Sequence, residues 1–332
     1  MIALAFVALA SHVASQAAVT SDDTTPPADD DAPKLEPKSP LLAAALATVI
    51  PGTGHLYLGE PGEALGFAGT TFGTGALTIG LALDGAINNN ANVAPYETFA
   101  SLYFSAAWGY NVFDAWRDAE ITQGRTVPRE DVLQLASAPY DLDTMTSWQT
   151  WAALGSMLAI GVGGEVVADV AFKHPLDFNL HIFDPNGPRT MSFLGAQVPI
   201  ASGVVLGNAY DLALLPSVAV GEESYFRGLI QGWLAMNVNP WVAWVAATLI
   251  FGAIHAGNAI GLPANQQLEY LAVGVPTVTL VGGVLGLLYL DQGQASLKRN
   301  VAAHYWYDAL VLGFGIARDP NGGFFFSTGA QF

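Results

Sequence analysis

Uncharged apolar runs recur along the chain in a pattern that predicts a series of membrane-crossing helices. A helix needs about 20 residues to cross the hydrocarbon layer. Runs of suitable length predict spans near residues 64–83, 98–116, 147–168, 193–209, 241–258, 269–290 and 300–316. A further helix is predicted near 216–236, whereas the run at 41–50 is too short to span and breaks at Pro51-Gly52. Because backbone groups at membrane depth must satisfy their own hydrogen bonds, we predict an all-α polytopic transmembrane helix bundle with about seven to nine membrane helices.

Composition agrees with a membrane protein and narrows its chemistry. Hydrophobic residues make up 52% of the chain and charged residues only 12%. A soluble domain carries about 25% charged residues. The net charge of −17 comes with only 11 lysines and arginines, so there is no basic patch for phosphates and we expect no nucleic acid partner. The chain has no cysteine, which excludes disulfides, thiolate chemistry and zinc sites with cysteine ligands.

Polar stretches divide the chain into units. Residues 1–18 are apolar and end in small residues, but no lysine or arginine precedes Lys34, so both a signal peptide and an uncleaved first apolar helix stay open. Residues 19–40 are acidic and rich in proline, which predicts a disordered linker. We predict N-terminal membrane helices over 41–170, a second membrane unit over 190–316 and a tail over 317–332.

The segment Pro51-Gly52-Thr53-Gly54-His55-Leu56-Tyr57 follows the first short apolar run. It resembles a Pro-Gly-x-Gly-x-x-Tyr turn of small bacterial membrane proteins whose role is unknown. Its glycines permit a tight re-entrant turn between two apolar segments, so we expect this segment to be structural.

Loop charges predict part of the topology. Residues 117–145 contain Arg117, Arg125 and Arg129, the densest basic loop, which places this loop in the cytoplasm. Strict alternation from that loop would put the basic pair at 298–299 outside. That position conflicts with the usual cytoplasmic location of basic residues. The side on which the pair lies depends on which of the short segments are re-entrant.

Two adjacent carboxylates, Glu222 and Glu223, stand at the start of an apolar helix and are followed by Arg227. Ionisable groups at membrane depth cost at least ~2.5–3.5 kcal/mol each. Glu223 and Arg227 are four residues apart, so they share a helix face and can pair. Glu222 points about 100° away and has no local partner, which suits a general base. The alternative is an interfacial helix start, with both acids solvated and stabilised by the helix dipole.

Two histidine motifs follow within apolar segments. His255 closes Phe-Gly-Ala-Ile-His, four residues after Phe251, and is the only imidazole of its span. In the last span, His304 and Asp308 are four residues apart and share one helix face, where the carboxylate can orient the ring. The alternative for each motif is a hydrogen bond that only joins neighbouring helices.

Grouped in one cavity, these costly groups would provide a base, an imidazole that positions water and polar groups for an oxyanion. Ionisable groups in membrane segments usually face the bundle interior or a wet cavity. We therefore predict that Glu222, His255 and His304 converge at one water-accessible point, with Asp308 beside His304. Phe251 is expected to pack nearby and to form part of the cavity wall.

Glu-Glu-x-x-x-Arg, Phe-x-x-x-His and His-x-x-x-Asp, in this order on successive membrane helices, resemble the CPBP family. This family comprises the CAAX proteases and the bacteriocin-processing (Abi) intramembrane metallopeptidases. The resemblance covers roughly residues 190–316 and implies a peptidase core there. Its matching residues are Glu222, Glu223, Arg227, Phe251, His255, His304 and Asp308.

The resemblance implies a role for each residue. Glu222 would activate water, His255 would help to hold that water, and His304 with the residue at 308 would stabilise the oxyanion. Residue 308 is Asp here, and an ionised Asp cannot donate a hydrogen bond. It would have to be protonated, bind a metal or orient His304. Glu223 would have a structural role, which agrees with its predicted pairing to Arg227.

The same resemblance bears on cofactor, partner and location. Zinc would suit two histidines with carboxylates, which makes Glu222, His255 and His304 its candidate ligands, although the family mechanism is argued both with and without a metal. The implied substrate is a membrane-associated peptide or protein, and the implied location is the bacterial inner (plasma) membrane. Two other functions stay open: a non-catalytic scaffold or bacteriocin-immunity protein, and a transporter with a proton relay. A transporter predicts an inverted repeat, but the first half has no matching Glu-Glu or His motif.

Overall fold

The computed structural model describes residues 37–90, 93–174, 180–184, 187–194 and 196–319. The predicted signal peptide or first helix, the predicted linker up to residue 36 and the predicted tail from residue 320 therefore lie outside the described residues.

Helices form the N-terminal half. They are α1 (Pro40–Val49), α2 (Thr53–Leu58), α3 (Pro61–Asn88), α4 (Ala94–Thr122), α5 (Val132–Ser137), α6 (Leu142–Met145) and α7 (Trp148–Phe172), with a 3₁₀ turn at Ala138–Tyr140. The predicted break after the first apolar run is confirmed, because α1 ends before Pro51. Gly52 follows with φ 86°, a left-handed conformation that favours glycine.

The C-terminal half contains a short pair of strands and further helices. They are β1 (Thr190–Phe193), β2 (Ala196–Pro199), α8 (Ile200–Glu223), α9 (Gly232–Asn237), α10 (Pro240–His255), α11 (Ala264–Glu269), α12 (Val275–Asp291) and α13 (Lys298–Arg318). π-helical stretches at Ser224–Gln231 and Tyr270–Gly274 join α8 to α9 and α11 to α12, and 3₁₀ turns occupy His181–Phe183 and Ala256–Gly261. Local sequence explains the start of α10, where the Asn239 side chain accepts a hydrogen bond from Trp241 N at 2.8 Å and Pro240 opens the first turn.

The predicted separate span at 193–209 is wrong. Residues 190–199 instead contain two antiparallel strands, with Thr190 opposite Pro199 and Phe193 opposite Ala196. Helix α8 then begins at Ile200 and runs on without a break to Asn237, over 38 residues. The apolar pattern did not separate strand from helix at the start of this run, and Pro216 interrupts the pattern without ending the helix.

Five helical segments are long and apolar enough to cross a membrane among the residues described. They are Pro61–Asn88, Trp148–Phe172, Ile200–Asn237, Pro240–Ile260 and Gln266–Asp291. The chain is thus a helical bundle and an integral membrane protein, but seven to nine spans are not confirmed. The predicted spans at 98–116 and 300–316 lie in α4 and α13, which are too polar to belong to this set.

The polar character of α4 and α13 follows from their position at the centre of the bundle. Trp116 and Phe113 of α4 and Tyr305 of α13 are fully buried in one core that also includes residues of α1 and α8. A second core joins α7, α12 and α13 around Met157 and Leu285. Since α13 contributes to both cores, its site residues are held against α8 on one side and α12 on the other.

Helices α4 and α8 approach each other through glycine. A Cβ atom on Gly221 would lie 2.4 Å from Ala106 Cα. We expect Gly221→Ala to separate the two helices and to destabilise the protein by ~1–3 kcal/mol, as overpacking does. Gly155→Ala on α7 is the control, since no atom lies within 4 Å of the added Cβ. Thermal unfolding in detergent should show a lower Tm for Gly221→Ala alone, and equal Tm values would contradict the close approach.

The predicted cytoplasmic position of residues 117–145 is testable across α4. This helix has 29 residues. At 1.5 Å per residue it is about 43 Å long, which exceeds the hydrocarbon layer of about 30 Å. Topology reporters fused at Asn90 and Gln123 should therefore report opposite sides, with Gln123 in the cytoplasm. Reporters on the same side would mean that α4 does not cross the membrane.

Candidate active site

The Glu222-Glu223 pair closes α8, immediately before the π-helical stretch Ser224–Gln231. π-helical turns inside longer helices are rare, and those that occur are often found at functional sites. This stretch carries Arg227 and Gln231, which are both buried. The acidic pair therefore lies beside buried polar residues, within the continuous helix Ile200–Asn237.

The predicted Glu223–Arg227 pair forms, and it is fully buried. Arg227 Nη1 donates to Glu223 Oε1 at 2.9 Å, and the exposed fractions of the two side chains are 2% and 0%. Arg227 Nη2 donates to the backbone carbonyl of Gly282 on α12 at 2.9 Å. The guanidinium thus connects α8 to α12 and neutralises a carboxylate that would otherwise be costly to bury.

Glu223 is also held from α13. His304 Nδ1 lies 2.7 Å from Glu223 Oε1, and Asn300 Nδ2 donates to Glu223 Oε2 at 3.2 Å. Asn300 Nδ2 further donates to the carbonyl of Leu285 at 2.7 Å. Both oxygens of Glu223 are therefore satisfied by donors within the protein, which gives this carboxylate a structural environment.

The second ring nitrogen of His304 faces two other carboxylates. His304 Nε2 lies 3.4 Å from Asp308 Oδ2 and 3.9 Å from Glu222 Oε2. The predicted shared face of His304 and Asp308 is present, but Glu223 holds the ring more closely than Asp308 does. One imidazole thus connects the buried carboxylate of the pair to the outer one.

Glu222 has an environment opposite to that of Glu223. Its side chain is 30% exposed, against 0% for Glu223. Among the described residues it takes part in no hydrogen bond, and its ion-pair partner is His304 at 3.9 Å. Of two adjacent carboxylates, one is thus saturated by the protein and the other has oxygens available to a water molecule.

His255 is connected to the Glu223–Arg227 pair by the Phe251 ring, which contacts both His255 and Arg227. It ends α10, and its Nδ1 lies 2.8 Å from the carbonyl oxygen of Phe251, which can only accept, so Nδ1 donates and Nε2 stays available. The centroids of the His255 and Phe251 rings are 4.4 Å apart. The guanidinium carbon of Arg227 also lies 4.4 Å from the Phe251 centroid. No ion pair joins His255 to Glu222 in the part of the chain that the structure describes. Their convergence on one water molecule stays a prediction.

Three buried or partly buried polar residues of the site were not identified from the sequence. Asn300 lies one turn before His304, so the spacing Asn-x-x-x-His-x-x-x-Asp on α13 was a signal for it. Gln231 lies one turn after Arg227 and donates to Gly286 O at 2.9 Å, in parallel with the Arg227 contact to α12. Tyr270 donates to the His255 carbonyl at 3.1 Å, and no local pattern indicated this contact.

The predicted zinc ligands Glu222, His255 and His304 are not grouped closely enough in the described structure to form a metal site. Within the described ranges, the group of histidine and carboxylate ligand atoms lying within 4.8 Å of one another is a different one, formed by His55, Glu60, Glu63 and Asp118. Zinc at Glu222, His255 and His304 stays a prediction that these distances do not support.

Comparison with known proteins gives one match. Residues 208–310 match the family model of the Type II CAAX prenyl endopeptidase Rce1-like proteins. No curated protein and no solved structure matches the chain. The matched segment runs from α8 to α13 and contains every residue that carried the resemblance to the CAAX proteases. Over residues 208–310, this membrane protein is therefore similar to the Rce1-like type II CAAX prenyl endopeptidases.

Proposed function

We propose that this protein is an intramembrane endopeptidase of the CPBP type, which hydrolyses a peptide bond with a water molecule activated by Glu222. The observation that carries the proposal is the contrast between the two adjacent carboxylates. Glu223 is fully buried and ion-paired, whereas Glu222 is 30% exposed and held by no hydrogen bond among the described residues. A base must be free to accept a proton, and Glu222 alone of the pair meets that requirement.

The hydrolytic step needs one base that later acts as an acid. Glu222 accepts a proton from water as the water oxygen attacks the carbonyl carbon of the substrate. The carbonyl electrons move to oxygen and form an oxyanion. When the tetrahedral intermediate collapses, the C–N bond breaks and Glu222 returns the proton to the leaving nitrogen. One water is consumed, and a carboxyl and an amine are released.

His304 is proposed to orient water and to stabilise the oxyanion. Its Nδ1 is fixed 2.7 Å from Glu223, which leaves Nε2 directed toward Glu222 and Asp308. Because an ionised Asp cannot donate to an oxyanion, the 3.4 Å separation favours Asp308 as the residue that orients the His304 ring. His255 is proposed to act from the opposite side through Nε2.

Supporting residues hold these groups in place. Arg227 and Glu223 form a buried pair within one helix, and Arg227 also donates to the Gly282 carbonyl of α12. The Phe251 ring contacts both Arg227 and the His255 ring. Preorganised polar groups in a water-poor site act more strongly than in bulk water. We expect a membrane-associated peptide or protein as substrate, in the bacterial inner (plasma) membrane.

The test is a comparison of membrane protein termini. Cells that produce the wild-type protein and cells that produce Glu222→Gln at the same level should be analysed by mass spectrometry of protein N- and C-termini in the membrane fraction. New termini in the wild-type sample alone would identify substrates and cleavage sites. Identical termini in the two samples would contradict a peptidase and favour the scaffold or immunity function.

A further inference from the structure

We propose a second site, in the N-terminal half, that binds a divalent transition-metal ion through His55, Glu60, Glu63 and Asp118. The four side chains place one ligand atom each within 4.8 Å of one another. The site lies on other elements than the peptidase residues. His55 comes from α2, the two glutamates from the turn and the first turn of α3, and the aspartate from the last part of α4.

The distances around His55 suit a coordination shell. His55 Nδ1 lies 3.1 Å from Glu60 Oε2 and 3.2 Å from Glu63 Oε2. Ligands at about 2.0–2.2 Å from a tetrahedral or octahedral metal are separated by about 2.8–3.6 Å. Nδ1 can donate only one proton, so a hydrogen bond to Glu60 leaves Glu63 Oε2 buried without a partner. A metal ion would satisfy both oxygens and the nitrogen at once.

A second observation concerns the burial of the imidazole. His55 is 0% exposed, and its Nε2 has no hydrogen-bond partner among the described residues. This nitrogen lies 3.8 Å from Oδ2 of Asp114, a neighbouring carboxylate that is not one of the four proposed ligands. The ring is fixed in position, because it stacks on Phe67 with centroids 4.8 Å apart. A neutral imidazole is a common metal ligand, and this buried ring has carboxylates near both of its nitrogens.

Carboxylates outnumber cationic side chains around His55, which favours the binding of a cation. Arg117 offsets two carboxylates, with Nη2 2.5 Å from Asp114 Oδ1 and Nε 3.0 Å from Asp118 Oδ1. Within 4 Å, the ion-pair partner of Glu60 and Glu63 in the described structure is His55. The exposed fractions of the Glu60 and Glu63 side chains are 35% each, which gives an ion a path to the buried ring.

The donor set indicates which ions fit. One imidazole with three carboxylates favours Mn²⁺, Fe²⁺ or Zn²⁺ over the ions that prefer oxygen alone. Such an ion would fasten α2 and the adjoining start of α3 to the end of α4, which is distant from them in sequence. The alternative to a bound metal is a protonated His55, because an imidazolium would neutralise the charge of the same glutamates.

The test uses the full-length protein in detergent, stripped with a chelator and then dialysed against Mn²⁺ or Zn²⁺. We expect about one ion per chain by elemental mass spectrometry and a higher Tm than that of the stripped protein. Glu63→Gln and Asp118→Asn should each weaken binding at least ~10-fold. Glu97→Gln, at the other end of α4, is the matched control and should bind as the wild type does.

Three results would overturn the proposal. If the wild-type protein retains no ion and its Tm does not change on metal addition, a protonated His55 occupies the site. If Glu63→Gln and Asp118→Asn retain the ion as tightly as the wild type, it binds elsewhere. If Glu222→Gln alone loses the ion, the metal belongs to the proposed peptidase site. The Tm of the wild-type protein with and without metal decides the question even if a variant fails to fold.

Discussion

Glu222→Gln should abolish peptide cleavage and leave the folded protein intact. The amide cannot accept a proton from water, and general-base catalysis is worth about 10²–10⁴-fold in rate. Glu222 makes no hydrogen bond within the described structure and is 30% exposed, and Gln has nearly the same shape, so the replacement removes no hydrogen bond and leaves the packing unchanged. Purified wild type and variant should be compared on a peptide library in detergent, with the Tm of each measured in the same buffer.

The neighbouring carboxylate supplies a matched control. Glu223→Gln makes the same chemical change one residue further on, but it leaves Arg227 buried without its carboxylate. We expect this variant to lose stability, whereas Glu222→Gln should lose activity at unchanged Tm. Undiminished cleavage by Glu222→Gln would remove Glu222 from the mechanism. A large fall in its Tm would mean that its role is structural.

Arg227→Ala should destabilise the protein far more than Glu222→Gln does. Removing the guanidinium leaves Glu223 charged at 0% exposure, removes the donor to the Gly282 carbonyl and exposes one face of the Phe251 ring. Breaking a buried ion pair from one side costs ~3–5 kcal/mol. Thermal unfolding in detergent, followed by circular dichroism, should show this loss as a lower Tm.

Arg299→Ala is the control, because it removes an arginine from an exposed ion pair and not from a buried one. Arg299 is 33% exposed and lies 3.6 Å from Asp291, which is 51% exposed. An exposed ion pair contributes ~0–1 kcal/mol, so this variant should unfold close to the wild type. A Tm of Arg227→Ala equal to that of Glu222→Gln would show that the buried pair does not stabilise the fold.

Local periodicity was enough to predict features that depend on neighbouring residues in one helix. Glu223 and Arg227 pair because a four-residue spacing puts their side chains on the same face. The same rule brings His304 to Asp308. The rule also places Asn300 on the face of His304, one turn earlier, although its contact with Glu223 crosses between helices. The Glu223–Arg227 and His304–Asp308 contacts lie within one helix, so the spacing alone carries the information.

Sequence patterns were less reliable at the edges of elements. The apolar run after residue 190 has the length of a span, yet its first part forms β1 and β2, because short apolar runs fit a strand and a helix equally well. The helices α4 and α13 were predicted as spans from their apolar runs, yet they are more polar than the five apolar segments. They lie in the protein core, which tolerates paired polar groups that lipid would not.

The sequence by itself determined that the protein is a membrane-embedded helical bundle, because long uncharged runs have no other stable form in lipid. It also identified Glu222, His255 and His304 as groups too costly to bury without partners. Only the tertiary structure decided which acid of the pair is saturated, since the donors from His304 and Asn300 reach Glu223 across about 80 residues of chain. The same holds for His55 and Asp118, which belong to different helices. Contacts between helices depend on how whole apolar faces pack, and no local spacing records that arrangement.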